Sequence, residues 1–180
     1  MKVKKFGDKK ITIREISKSD LKNAKKFQAH INSLIIEGAK LLMNKKVTEK
    51  DEIEAINRWL TAIKKKTRVQ LIAEFENKII GTTDIDLDRW NRNHIGKFGI
   101  AITKDFRGIG LGKFLTSEII KLAKKKLKPS PKIIQLEVYE NNKPAIALYK
   151  KMGFKIVGKI PKQIQWKGKL IAEYIMLKYL

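Results

Sequence analysis

Phe106-Arg107-Gly108-Ile109-Gly110-Leu111-Gly112 sets three alternate glycines between a strand-like and a helix-like segment. Before it, Phe98, Ile100 and Ile102 alternate with Lys97, Gly99, Ala101 and Thr103, which is the period of a strand. After it, Leu111, Phe114, Leu115, Ile119, Leu122 and Ala123 recur at helical spacing and leave Lys113, Lys121 and Lys124 on the other face. Glycines let a backbone approach an anion closely, and the free N–H groups of a helix's first turn point at it with the macrodipole behind them. The turn is therefore expected to hold the phosphates of a cofactor. Two competing motifs fail. A P-loop needs Gly-Lys-Ser/Thr, whereas Gly112-Lys113 is followed by Phe114. A dinucleotide site opens its domain and is followed about twenty residues on by an acid; this turn lies past mid-chain and is followed by Lys124 to Lys128.

A second cluster lies downstream. Ile133 to Tyr139 reads as a buried strand and Asn142 to Gly153 as a short helix with Asn142 as N-cap, Pro144 in the first turn and Gly153-Phe154 as the stop. With both clusters in view, the chain resembles the GNAT superfamily of N-acetyltransferases. The family's motif of arginine or glutamine, two residues, glycine, one residue, glycine or alanine appears as Arg107, Gly110 and Gly112. Its downstream signature appears as Asn142, Ala145, Ala147, Tyr149, Gly153 and Phe154. Arg92 to Ile100 looks like the subgroup of ribosomal-protein, small-amine and amino-acid acetyltransferases.

The remaining segments give a coarse order. Ile11 to Ile16 reads as a first strand, and two helices follow. One carries Leu21, Ala24, Phe27, Ile31, Leu34 and Ile35; the other is opened by a Thr48/Asp51 capping box. Val69 to Phe75 and Lys78 to Leu87 form an expected hairpin about Glu76-Asn77, and the chain closes with strands at Lys155 to Lys159 and Leu170 to Leu177. The expected fold is α/β, one GNAT-like domain over 1–180, with a mixed central sheet flanked by helices in the order β-αα-βββ-α-β-α-ββ.

Composition narrows the chemistry. Hydrophobic residues make up 43% of the 180, enough for one core. The chain has no cysteine, which excludes disulfides, thiolate metal sites and a cysteine nucleophile. His30 and His94 lie too far apart in sequence to suggest a metal site, and none is assigned. Met1 to Lys10 lacks the apolar run of a signal peptide, and no stretch has the length of a membrane span, so a cytoplasmic protein with no membrane partner is expected. The net charge of +23 invites a polyanion, ribosome or RNA. The basic residues run through the whole chain rather than forming a tail, as compositional bias also produces.

What the resemblance implies is specific. Acetyl-CoA is the donor. Backbone of Ile100, Ala101 and Ile102 pairs with its pantetheine amides, amides from Arg107, Gly108, Ile109, Gly110, Leu111, Gly112 and Lys113 hold its pyrophosphate, and Asn142 contacts the pantetheine arm. Tyr149 is the general acid near the departing thiolate, and Glu137, five residues before Asn142, is the proton acceptor. The acceptor is a primary amine, either a protein N-terminus or a small amine or amino acid. In the family it is shaped by the linker between the first two helices, here Gly38 to Val47, and by the loop between the last two strands, here Ile160 to Lys169. Lys45, Lys46, Lys162, Lys167 and Lys169 in those segments are expected to favour an acidic peptide, a carboxylate-bearing amino acid or a ribosomal target, and to disfavour polyamines by like-charge repulsion. A nucleic-acid-binding protein and a non-catalytic acetyl-CoA sensor are the competing classes; oligomeric state is not readable from the sequence.

Overall fold

The computed structural model describes residues 1–180. A hairpin of β1 (Lys2–Phe6) and β2 (Lys9–Glu15) leads into α1 (Ala24–Ile36) and α2 (Glu49–Lys64). Then β3 (Arg68–Phe75), β4 (Lys78–Leu87) and β5 (Ile95–Ile102) form an antiparallel meander, and α3 (Leu111–Lys126) crosses to β6 (Ile133–Tyr139). Last come α4 (Lys143–Lys151), β7 (Lys155–Trp166) and β8 (Lys169–Tyr179). All eight strands make one sheet in the order β1-β2-β3-β4-β5-β6-β8-β7. It is the mixed α/β domain expected from the sequence, with one strand more.

The added strand is β1, read in the sequence only as a charged terminus. Its residues are exposed except Phe6, which packs edge-on against Phe114 at 5.7 Å between centroids. One buried ring and the ladder to β2 hold it, so it leaves no apolar alternation to detect. The turns behave as their residues demand. Glu76 and Asn77 both have positive φ, as a tight β3–β4 hairpin requires. At the start of α2, the Asp51 N–H donates to Thr48 Oγ1 at 3.2 Å and the Thr48 N–H to Asp51 Oδ2 at 2.7 Å, a complete capping box.

The sheet is covered on both faces, so β3 is buried without alternation from Arg68 to Ala73. Leu71 and Ala73 point into a core of 22 buried residues shared with α3 and α4, whereas Ile72, on the other face, joins Ala24, Phe27 and Ile56 beneath α1 and α2. The decisive feature is the one parallel junction. β5 and β6 pair only from Ile95↔Ile133 to Lys97↔Gln135, and beyond that the ladder ends. Gly96 sits in this junction; a Cβ there would lie 2.7 Å from Ile85 Cγ2 and 3.1 Å from Ile134 Cδ1, so no larger residue fits.

The end of the chain differs from expectation. The segment 160–169 is not a loop: β7 runs on to Trp166 and turns through Lys167 and Gly168, both at positive φ, into β8. Only Ile164 is buried between Ile160 and Gln165, and the register shifts between Ile160 and Ile164 around Pro161. A ribbon wet on both faces carries no hydrophobic period, and proline is tolerated because β7 is the sheet's edge.

Candidate active site

The glycine turn has the geometry an anion needs. Gly108 and Gly110 adopt φ of 79° and 88°, with no atom within 4 Å of where a Cβ would stand. The Arg107 N–H donates to the Lys104 carbonyl and the Phe114 N–H to the Gly110 carbonyl, while the intervening N–H groups of Gly108 to Lys113 have no acceptor within the protein. Six successive donors thus face outward at the head of a 16-residue helix whose positive dipole end lies there. Arg107 departs from the expectation. Its N–H is engaged, and its guanidinium donates to the Ile102 carbonyl at 2.7 Å and to Glu37 at the end of α1. It fastens strand to helix. Lys113 is exposed beside the turn.

From the turn, the unpaired edge of β5 leads into a cleft of about 450 Å³ opened by the divergence of β5 and β6. Of the residues singled out in the sequence, Ile100, Ala101, Glu137, Asn142 and Tyr149 line it. Ile102 lies at the far end of the same strand. Asn142 precedes α4 but makes no side-chain capping bond, so its amide is not the cap the sequence suggested.

The Tyr149 ring is wedged between Phe98, at 6.0 Å and nearly perpendicular, and Phe154, at 5.9 Å. Its hydroxyl has no partner in the protein, and burial pushes its pKa up to about 12. It is a phenol at any working pH. Glu137 projects into the cleft and accepts from Gln135 Nε2 at 3.4 Å.

The cleft also holds charges that the sequence reading passed over. Arg68, 8% exposed, stacks on Trp59 and pairs with Asp84 at 3.3 Å and with Asp86. Burial raises Asp84 to about 6 despite that pairing, and raises Asp86 as well. Glu173, 5% exposed, comes in from β8. The alternation Asp84-Ile85-Asp86 was the available signal, two acids on one face of a strand. Glu173 between Ala172 and Tyr174 was another.

The roof is the linker from α1 to α2. Leu41's carbonyl accepts from the Tyr139 hydroxyl at 2.6 Å, and Lys40 donates to the Asn141 carbonyl at 3.1 Å while lying 5.4 Å over the Trp166 ring. Ile31, Leu41, Leu42, Met43 and Trp59 give this side an apolar lining. Lys45, Lys46, Lys162, Lys167 and Lys169 are absent from the lining, whereas Lys40 of the same linker belongs to it. They stand on a wet ribbon and a solvated linker, where long ammonium side chains reach water.

Comparison with known proteins bears on this arrangement. A model of the acetyltransferase (GNAT) family matches residues 38–154. The L-amino acid N-acetyltransferase AaaT of Escherichia coli (strain K12) is 32% identical over 110 residues, spanning 61% of this chain and 67% of that protein. The structure of an acetyltransferase of the GNAT family from Streptococcus pneumoniae superposes with a TM-score of 0.81 at 28% identity, over 94% of this chain and 99% of that one. A GNAT superfamily phosphinothricin acetyltransferase from Sinorhizobium meliloti, solved in complex with acetyl-CoA, shares the fold with a TM-score of 0.77 at 19% identity, over 94% and 88% of the two chains.

Proposed function

The chain belongs to the acetyltransferase (GNAT) family, and from that premise we propose that it acetylates the α-amine of a small acceptor, a free L-amino acid with an apolar side chain. The observation that carries this reading is the run of six unengaged amides, Gly108 to Lys113, leading along β5 into a cleft that holds Tyr149 and Glu137. The amides suit a pyrophosphate and the free edge of Ile100 to Ile102 suits an amide-bearing arm, so the residues fit acetyl-CoA, which supplies an acetyl thioester. Asn142, freed from capping, is placed to contact the same arm.

The protein's own groups then divide the work. An amino acid's α-ammonium titrates near 8 or above and must lose a proton before it becomes a nucleophile. Glu137 takes that proton on a carboxylate oxygen. The Tyr149 hydroxyl donates to the leaving sulfur; a phenol less acidic than the thiol stabilises a thiolate by hydrogen bonding without complete transfer. The apolar roof favours an apolar side chain. The 32% identity to an L-amino acid N-acetyltransferase supports the same acceptor class.

The test is melting with acetyl-CoA against ATP as an anion control, followed by thiol release with L-leucine, L-methionine, L-glutamate, spermidine and a peptide bearing a free N-terminus. Because the chain has no cysteine, a thiol reagent reads product without background. Saturation at a hundred times Kd adds about 2.7 kcal/mol of stability, readily seen. Equal shifts with both ligands, or turnover of the peptide or spermidine alone, would defeat the reading.

A further inference from the structure

Glu173 is an acid of the cleft wall to which the reaction above gives no role. It lies in β8, directly opposite Tyr139 of β6 and Ile160 of β7, and lines the cleft at 5% exposure. In the same register Glu137 faces Ile175, so Glu137 and Glu173 are diagonal neighbours on one face of the β6–β8 pair, roughly 7–8 Å apart at their Cα atoms. Glu173 makes neither a hydrogen bond nor an ion pair, and the neighbouring cations have other partners, Lys97 pairing with Asp88 at 3.6 Å. Lys40 is held by the Asn141 carbonyl and Trp166, Lys159 by Glu140 at 2.9 Å, and Arg68 by Asp84 and Asp86. The Tyr139 hydroxyl is donated to Leu41. The Glu173 carboxylate opens onto the cleft, where a cation from outside can complete it.

We propose that Glu173 is a further acceptor-binding residue: with Glu137 it forms a two-carboxylate subsite that holds the acceptor's ammonium and receives the proton its nitrogen must lose. This rests on the acetyl-transfer reading and extends it. One N–H bond breaks, an O–H bond forms on the carboxylate pair, and the electron pair stays on nitrogen as the nucleophile. A like-charged neighbour disfavours the ionised form, so Glu173 takes up a proton more readily beside Glu137. Burial, and then the charge of Glu137, holds Glu173 above the ordinary range, in accord with that geometry. Asp84 and Asp86 do not duplicate the role, because Arg68 already occupies them.

The experiment combines kinetics with a measurement that needs no turnover. Glu173→Gln is expected to raise KM for L-leucine at least about tenfold, the loss of one charge-assisted contact. It should move the acid limb of kcat/KM to lower pH, since Glu137 loses a like-charged neighbour, and leave the acetyl-CoA melting shift intact. A variant with wild-type KM and pH profile overturns the proposal. Should Glu173→Gln not fold, carboxyl NMR of the wild-type protein labelled with ¹³C-glutamate decides. Two coupled titrations that respond to L-leucine without acetyl-CoA support the subsite; a Glu173 resonance that titrates alone in the ordinary range and ignores L-leucine overturns it. Failure of the function reading looks different: no amino acid is turned over by the wild-type protein, while the NMR result still stands on its own.

Discussion

Replacing Tyr149 by phenylalanine removes one oxygen and keeps every ring contact with Phe98 and Phe154. Because that hydroxyl bonds to nothing in the protein, stability near pH 8 should change by less than about 0.5 kcal/mol. The picture differs in alkali. The folded-state pKa is raised from 10.0 to about 12, so ionisation is easier in the unfolded chain, and stability present below pH 10 is lost as pH rises toward 12. Two pKa units correspond to about 3 kcal/mol, all of it tied to this one hydroxyl. The variant should therefore overtake the wild type in urea denaturation at pH 11 while matching it at pH 8. Turnover tells the other half: loss of the donor at the leaving sulfur should cost about a hundredfold in kcat, with acetyl-CoA still raising the melting temperature. A variant with turnover within about threefold of wild type refutes the role. One destabilised by more than about 1 kcal/mol at pH 8 refutes the claim that the hydroxyl is unpartnered.

Other perturbations probe separate parts of the fold. Gly96→Ala forces a methyl against Ile85 and Ile134 and should cost about 1–3 kcal/mol in urea melts, more than any exposed glycine substitution. Gly110→Ala meets no atom, yet at φ 88° it should cost about 1–2 kcal/mol and diminish the acetyl-CoA melting shift by turning the amides away. His30 is 4% exposed, and burial lowers it from 6.5 to about 4. Its contribution is present above pH 6.5 and is lost as pH falls through 4, about 3 kcal/mol in all; an imidazole NMR titration near the ordinary value would contradict this.

The strand, glycine turn and helix from Phe98 to Ala123 were legible in the sequence because each rests on local period and local backbone demand. So was Tyr149, whose place in the downstream motif is fixed by neighbours a few residues away. What escaped depends on pairing between distant segments. Lys2–Phe6 becomes a strand only because β2 offers an edge, and 160–166 only because β8 does. Asp84 and Glu173 lie in the same cleft although 89 positions separate them in sequence. Each carries a local hint in its strand, but sheet register alone brings them to one cavity.

The Arg107 guanidinium, joined at once to the Ile102 carbonyl and to Glu37, has a practical consequence for anyone wishing to redirect this enzyme. The segment 38–47 is the obvious piece to exchange with that of another protein in order to change what enters the cleft. Its upstream splice point must fall after Glu37, because a graft that discards this acid also unties the end of β5 and the approach to the glycine turn. Such a chimera would lose its hold on the donor and be misread as a failure to recognise the new acceptor.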